Sequence, residues 1–580
     1  MTAAGTANKR TSASAEPKTG ARETPKAETA ATGREKAAAG PALRPFDRPY
    51  AAIGQAAILR LGRRAAPEQT AAFGIETDST MTSASPAEHE RAHGLAVFAV
   101  ATFLLGMGLI VVLERVGAPN GFVQALGPLL ALLGVCVIGV LTRAPNLLDF
   151  LAARRSAPTF YGGLAFAATA AGLVMAMASA SGGVSSLPWR GVILGLAGAA
   201  LLVAPALRGA KASAPADLLA TAFPQALTRV VLALALAAAG LLTAIAGFEL
   251  ATDTLVGAIG ADRRFAEALV MLTLALSIVP GGFKGLVWSD AACGGGALLI
   301  AAVGAGVAIP KMPSPFAPLA ALVNSGLTEP VMGGPDSAIW VEVATVAAIA
   351  GFFVFTPPAI GARTVGQARR IGFAGLVLAG AGLALAGIAL PYFGALPEGP
   401  SRTAVGLIGA ATCLPALALA RAGVLGATRA GGIDLATAHS RLAVLSSRRI
   451  ALNRLAMFAA IALCPWGADM RFLNSGRALF LALAIGLAFV TPCLLLALVA
   501  RPPSGAAAAA LGVALVAAVA RFAFMGSAPR GPELLIGSLI VGAASFVTGM
   551  AFALIFPSAA GRAQPQLADP FVDIPLDGID

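Results

Sequence analysis

A series of long apolar segments, following one another from Gly94 almost to the last residues, constrains this chain more than any other feature. Fourteen of them are long enough to form a helix of about 20 residues that crosses the hydrocarbon of a bilayer. They span residues 94–114, 122–142, 160–180, 189–207, 227–248, 264–282, 285–309, 338–360, 371–392, 403–430, 450–467, 477–500, 506–526 and 533–556. Stretches such as Leu232 to Gly247 are apolar on every face, whereas the strands of a membrane β-barrel alternate apolar with polar residues. The pattern predicts an all-α polytopic membrane protein with about 13–14 transmembrane helices.

Charged residues are too few to cover a surface that faces water. They make up 12% of the 580 residues, against roughly 25% in soluble domains, which excludes a soluble globular protein. The net charge of +12 is of the sign found in proteins that bind nucleic acid. However, 13 of the 41 basic residues lie in residues 1–92 beside ten acidic ones, and most of the others flank apolar segments. We therefore expect the lipid bilayer as a partner and no nucleic acid.

Cysteine and histidine are arranged in no pattern that indicates a cofactor. The five cysteines lie inside apolar stretches without CxxC spacing, and the chain has only three histidines. The run HERAH (His89 to His93) has HExxH spacing, but it lies just ahead of the first span, where three histidines in all are too few for a His-based metal centre, and no nucleophile paired with histidine is apparent. We expect no disulfide, no bound metal, no organic cofactor and no enzymatic activity.

The two ends of the chain differ in composition from its apolar body. Residues 1–92 are rich in Ala, Lys, Glu, Thr and Pro without sustained apolar periodicity, which predicts a disordered cytoplasmic tail. Met81 directly precedes the first span, so we also consider it as the true start of translation. Residues 559–580 are predicted to form a second, acidic disordered tail.

Basic residues give the predicted orientation. If the N-terminal tail is cytoplasmic, the loops and span ends on its side hold sixteen Lys and Arg residues, and those on the opposite side hold ten. An excess of Lys and Arg is typical of cytoplasmic loops. The sequence predicts a multi-pass protein of the inner (cytoplasmic) cell membrane with both termini in the cytoplasm.

Ionisable residues inside spans are functional candidates, because each costs a few kcal/mol to insert. Asp290 lies about 9 Å along a helix from Lys284, at membrane depth, and needs a cation or a hydrogen-bond donor there. Two interpretations apply to it: a functional carboxylate, or a pair with a neighbouring Ser or Arg that only holds helices together. Arg421 has no obvious partner in the sequence, and Arg429 and Asp434 follow it near the end of the same span.

Five stretches resemble, in the same order, stretches of the sodium:solute symporter family. The run GGFKGLVWSD (Gly281 to Asp290) resembles that family's G-G-x-K-A-V-x-W-T-D. The other four are Asn146 to Gly172, Ala214 to Phe223, Gly351 to Ile371 and Leu483 to Gly512. Of these, Gly351 to Ile371 is similar to a stretch that is prominent in the cation/acetate symporter branch. The resemblance covers residues 122–520.

The resemblance implies a LeuT-like five-plus-five inverted repeat, in which the first and sixth core helices are broken at the membrane midplane. Gly172 is available where the first of these helices would open. The implied organisation is two accessory transmembrane helices in residues 93–143, a ten-helix transporter core in residues 144–500 and two C-terminal transmembrane helices in residues 501–558.

The resemblance also implies a site for Na⁺ as coupling ion. The family binds sodium with two carbonyls of the first core helix and hydroxyls of the eighth, which correspond to the carbonyls of Ala167 and Ala170 and the hydroxyl of Thr428. Ala427 lacks the second hydroxyl, which is a departure from the family. The residues expected to line the substrate cavity are Thr169, Gly172, Phe352 and Phe355.

Arg429 suggests a sharper hypothesis, because a guanidinium does not lose its proton. Beside the cation site it would replace the ion and make transport independent of sodium. The alternatives are an ion pair with Asp434, an extended side chain that reaches the interface, or contact with an anionic substrate. We assign Asp290, Arg429 and Asp434 to coupling or to the ion pathway.

The function that follows from the resemblance is secondary active transport, in which a cation-coupled symporter imports a small organic solute, such as the monocarboxylate acetate, by alternating access. The alternative is a degenerate, non-coupling member that serves as a membrane sensor or as an accessory subunit of a small membrane partner. Its support is the loss of one hydroxyl at Ala427 and the charges at Arg429 and Asp434.

Overall fold

The computed structural model describes residues 86–181, 183–210, 215–223, 225–312, 314, 320, 335–394, 401–430, 446–470, 473–499, 503–525 and 532–556. Within these residues all regular structure is helical. The helices are α1 Pro86–Arg115, α2 Asn120–Leu141, α3 Leu147–Ala152, α4 Thr159–Ser181, α5 Trp189–Gly209, α6 Pro215–Ala222, α7 Ala226–Ile259, α8 Arg263–Ile278, α9 Gly282–Ala308, α10 Pro335–Ala350, α11 Pro357–Ile360, α12 Val365–Gly394, α13 Arg402–Arg429, α14 Ser446–Ala468, α15 Ser475–Leu498, α16 Ser504–Met525 and α17 Pro532–Ile555.

Thirteen of the fourteen predicted segments each correspond to one of these helices, and the segment 338–360 corresponds to α10 and α11 together. Ten helices in the described part of the chain are long and apolar enough to cross a membrane, and Ile339–Ala350 and Gly505–Ala520 are shorter apolar helices. A helix satisfies its own backbone hydrogen bonds, which lipid cannot do. The predicted all-α polytopic architecture is therefore confirmed.

Helix α1 corrects one predicted boundary. It begins at Pro86, so residues 86–92 belong to a helix and not to the predicted tail. Glu88, Glu90 and Arg91 favour helix intrinsically and extend α1 beyond its apolar part. Met81, the rest of the N-terminal tail and residues 559–580 lie outside the described residues.

The most buried helices form the centre of the protein. In the spans of α4 and α15 78% of the most apolar window is buried, whereas in α12 and α17 only 22% is. Large apolar side chains such as Leu105, Val516 and Leu554 are exposed on α1, α16 and α17, as expected for a face covered by lipid.

Helices α7 and α13 cross the centre side by side in opposite directions. A side chain at Gly240 would overlap the backbone of Ala427, and one at Gly247 would overlap the backbone of Ala420. Gly423 on α13 is equally close to Ala244 on α7. Small residues at such contacts let two backbones approach closely in a membrane, so α13 is held in place by α7.

The sixth core helix is broken, as expected from the resemblance. Helix α10 ends at Ala350, Phe352 is extended, a short 3₁₀ turn covers Phe353–Phe355, and α11 begins at Pro357. Prolines lack the N–H that a continuing helix needs, and two of them, Pro357 and Pro358, follow one another here.

The expected break in the first core helix is wrong in this structure. Helix α4 is continuous from Thr159 to Ser181. Gly172 serves another purpose, because a side chain at this position would overlap the carbonyl oxygen of Pro415 on α13. Its smallness allows the close crossing of α4 and α13.

Candidate functional site

A fully buried ion pair joins α9 to α13. The Arg421 Nε donates a hydrogen bond of 2.7 Å to the Oδ1 of Asp290, and Nη2 lies 2.7 Å from the same oxygen. Nη2 also donates to the Sγ of Cys293 at 2.9 Å. The side chain of Arg421 is 0% exposed and that of Asp290 1%. Asp290 and Cys293 are three residues apart, so they share one face of α9.

The hydrogen bonding of this pair is incomplete. Within the described residues, the Oδ2 of Asp290 and the Nη1 of Arg421 are buried and have no hydrogen-bond partner. The carboxylate is thus bound through a single oxygen. Buried charges are expensive unless they are paired and fully bonded, so this geometry is a costly one that the surrounding helices maintain.

The pair lies where α4, α9 and α13 meet. A side chain at Gly294 on α9 would overlap the carbonyl oxygen of Leu164 on α4. Ala168 of α4, Cys293 of α9 and Ala418 of α13 belong to one buried apolar cluster. The helix that the resemblance identifies as the first core helix therefore packs beside the two charges.

A second arginine on α13 lies near its end. Arg429 lines a cavity of about 30 Å³ between α6, α7, the break after α10 and α13, together with Pro215, Leu236, Phe353, Thr356 and Gly426. A cavity of this volume is large enough to hold water. The cavity thus places a guanidinium beside the irregular backbone of the broken helix.

Contacts of Arg429 tie the end of α13 to two other elements. Its Nη2 donates to the carbonyl oxygen of Leu151 in α3, and its guanidinium lies 5.0 Å from the ring centroid of Phe283 at the start of α9. The residue is buried. A guanidinium has five N–H donors in a planar fork, so Arg429 can contact several elements at once.

The residues predicted to bind a cation, Ala167, Ala170 and Thr428, are all buried. Ala167 and Ala170 lie in the continuous part of α4, where each carbonyl accepts the N–H one helical turn later. The hydroxyl of Thr428 donates to the carbonyls of Val424 and Leu425 in its own helix. A sodium site at these residues stays a prediction, and Asp434 lies outside the described residues.

None of the four residues predicted for a substrate cavity lines the cavity at Arg429. Thr169 donates its hydroxyl to the carbonyl of Ala165, 3.1 Å away. Phe352 and Phe355 are buried in the core, and the Phe355 ring packs 5.4 Å from that of Phe166 between centroids. Phe353, in the 3₁₀ turn after α10, lines the cavity instead, and its ring lies 5.2 Å from that of Phe352 between centroids.

Two further polar arrangements were not predicted. Glu342 accepts a hydrogen bond from the backbone N–H of Gly191 and so links α10 to α5. At the junction of α7 and α8, Arg263 pairs with Asp253 at 3.0 Å and with Glu267 at 3.1 Å. Among the described residues, no group of three or more His, Cys, Asp and Glu side chains is placed to hold a metal ion.

Comparison with known proteins shows the fold. No family model matches the chain, and no curated protein matches it. The structure of a Na⁺-coupled sialic acid symporter, solved in a substrate-bound outward-open state, is similar over 75% of this chain and 98% of its own, with 18% identity and a TM-score of 0.59. That of a manganese transporter of Eremococcus coleocola is similar over 72% and 97%, with 17% identity and a TM-score of 0.41.

The class that these observations define is that of polytopic, all-helical membrane proteins. Within it, the likeness to the sialic acid symporter shows that this chain has the LeuT-like fold.

Proposed function

We propose that this protein is a secondary transporter that imports a small organic anion, such as the monocarboxylate acetate, across the inner membrane by alternating access. The observation that carries the proposal is the position of Arg429 in a cavity beside the broken helix α10–α11. In transporters of this architecture, solute binds at the discontinuous helices.

The chemistry of the cavity favours an anion. A guanidinium binds a carboxylate through two parallel hydrogen bonds, which is a stronger arrangement than a bond to a neutral acceptor. The broken helix adds backbone groups, because a helix end leaves N–H and C=O groups without partners in the helix. Apolar side chains such as Leu236 and Phe353 line the remaining wall, and they suit the methyl end of a small monocarboxylate.

The cavity has to enlarge before it can admit a solute, since its volume is about 30 Å³ and ligand sites have volumes of roughly 300–1,000 Å³. A carboxylate that binds Arg429 competes with the Leu151 carbonyl for the same guanidinium. Its binding would therefore weaken the contact between α13 and α3. A ligand shifts a conformational equilibrium by its difference in affinity for the two states, and this exchange of acceptors supplies such a difference.

Uptake into proteoliposomes tests the proposal. We expect purified protein to accumulate or equilibrate labelled acetate or pyruvate, with proline as the neutral zwitterionic comparison, and a solute-specific signal that excess unlabelled acetate abolishes. Each solute is measured with and without a sodium gradient, because the resemblance implies Na⁺ as the coupling ion. Absence of acetate and pyruvate uptake, beside an active acetate symporter reconstituted in parallel, contradicts the proposal, whether or not proline is taken up.

A second candidate function is that of a non-coupling sensor or accessory subunit with a small membrane partner. The observation that favours it is the burial of Asp290 against Arg421, which leaves this intramembrane acid without access to water. Co-purification of a stoichiometric small membrane protein, together with absence of uptake, is the result that this candidate predicts.

A further inference from the structure

Asp290 is a carboxylate buried in a membrane helix, where a negative charge needs a positive partner. A mobile cation or a proton can fill this need, and each can then carry the energy of its gradient. In this protein the partner is the side chain of Arg421. We propose that the Arg421 guanidinium is a tethered counter-cation that takes the place of a coupling ion at Asp290, so that solute transport is independent of sodium and proton gradients.

The geometry supports a role for the guanidinium as a cation in a binding site. Nε and Nη2 of Arg421 converge on a single oxygen of Asp290, while Oδ2 has no hydrogen-bond partner within the described residues. An arginine that served only to fasten two helices would gain most from the bidentate arrangement, in which both carboxylate oxygens are bound. One side of this carboxylate therefore remains able to bind another cation or a proton once the arginine is removed.

The positive charge cannot leave this site. Arg421 is covalently part of α13, its guanidinium does not deprotonate in proteins, and neither partner is accessible to water. The other titratable groups that interact with it are thiols: Cys293 on α9, Cys413 on α13 and Cys136 on α2. An ion that never dissociates transfers no gradient energy, so a transporter built this way works as a uniporter or an exchanger.

This inference rests on the proposed transporter function. It assigns the replacement of the coupling ion to a different arginine from the one that the sequence suggests. From the sequence alone, Arg429 is a candidate replacement for the ion. In the structure the guanidinium of Arg421, and not that of Arg429, contacts Asp290, while Arg429 contacts Leu151 and Phe283. The two arginines of α13 thus have separate tasks, neutralisation at Asp290 and solute recognition at the cavity.

The test compares ion dependence before and after the tethered charge is removed. Uptake by the native protein, by Arg421→Ser and by the double variant Asp290→Asn/Arg421→Ser is measured with Na⁺ or choline outside, and with or without a pH gradient. We expect native uptake to differ by less than about twofold among these conditions. Arg421→Ser should acquire a dependence on Na⁺ or H⁺ on the order of tenfold, and the double variant should lose that dependence again.

Two control variants separate the charge from its surroundings. Arg421→Lys keeps a tethered cation, and its uptake should stay independent of both gradients. Arg402→Ser removes an exposed arginine from the start of the same helix and should behave as the native protein does. Native uptake that depends on Na⁺ or H⁺ by tenfold overturns the proposal. So does an Arg421→Ser variant that transports and remains independent of both ions, because the pair would then be only structural.

Thermal unfolding in detergent decides the same question without transport. Na⁺ or acid should raise the melting temperature of Arg421→Ser by about 2 °C or more, because a ligand that binds the folded state stabilises it. Neither Na⁺ nor acid should change the melting temperature of the native protein. A sodium-dependent rise in the native protein overturns the proposal even if Arg421→Ser does not fold. If the native protein transports no solute, these melting temperatures still report on the tethered cation, while the transporter proposal fails by itself.

Discussion

Arg421 and Arg429 are the same residue type on the same helix, about 12 Å apart along its axis, and their surroundings differ. Arg421 is completely buried against a carboxylate and a thiol. Arg429 contacts a backbone carbonyl and an aromatic ring, and it lines a cavity. The same side chain therefore has two different environments on one helix, a buried ion pair at Arg421 and a cavity wall at Arg429, because the partners differ.

The largest effect is expected when the carboxylate is removed and Arg421 is left without its partner. Asp290→Asn should destabilise the protein by about 3–5 kcal/mol, because an uncompensated charge then stays buried. The double variant Asp290→Asn/Arg421→Met should recover much of this loss. Thermal unfolding in detergent measures both. Equal melting temperatures for Asp290→Asn and the native protein would show that the pair contributes no stability.

The corresponding change at Arg429 should affect transport and not stability. Arg429→Gln keeps a polar side chain of shorter reach but removes the charge, and we expect solute uptake to fall about 100-fold, in line with roughly 1.5–3 kcal/mol for a hydrogen bond to a charged group. Arg429→Lys should retain part of the activity, since lysine binds a carboxylate as a point charge. Initial rates at several acetate concentrations measure the effect, and an unchanged rate for Arg429→Gln would remove Arg429 from solute recognition.

Gly426 lies between the two arginines in the sequence. It contacts only one of the two sites, the cavity at Arg429. A methyl group there would overlap the ring of Phe353, which lines the cavity. Gly426→Ala should cost about 1–3 kcal/mol of stability through overpacking and should impair uptake, while ion dependence stays as in the native protein. A matched Gly257→Ala change meets no atom within 4 Å and should be neutral. Uptake and melting temperature are compared for the pair.

The smallest effect is expected at the thiol that completes the Arg421 site. Cys293→Ala removes one acceptor of Nη2 and should destabilise the protein by about 0.5–1.5 kcal/mol. Cys293→Ser keeps an acceptor at the same place and should lose less. Melting temperatures of the two variants give the difference. A larger loss for serine than for alanine would mean that apolar packing, and not the hydrogen bond, is what Cys293 contributes.

Local sequence was sufficient for the helices but not for the pairing of charges. The fourteen apolar segments predict helices because lipid requires each segment to bond its own backbone, and Pro357 and Pro358 mark where the sixth core helix cannot continue. Nothing local connects Asp290 to Arg421, since 131 residues separate them. Their contact follows from how α9 and α13 pack together, which a single sequence does not reveal.

Packing between helices also decides two details near the candidate site. Gly172 was expected to open α4, but a small residue also permits a close crossing, and its neighbour Pro415 on α13 decides which role applies. Phe352 and Phe353 differ by one position, and only the geometry of the turn after α10 determines which ring reaches the cavity.

The separation of Asp290 from Arg421 has a consequence for how the protein is made. At the usual speed of synthesis of about 5–20 residues per second, the ribosome reaches Arg421 roughly 7–26 s after Asp290, for a separation of 131 residues. Helix α9 is therefore threaded into the bilayer while its counter-charge does not yet exist. During this interval the acid has to be protonated or sheltered by the insertion machinery, and the pair closes only when α13 arrives.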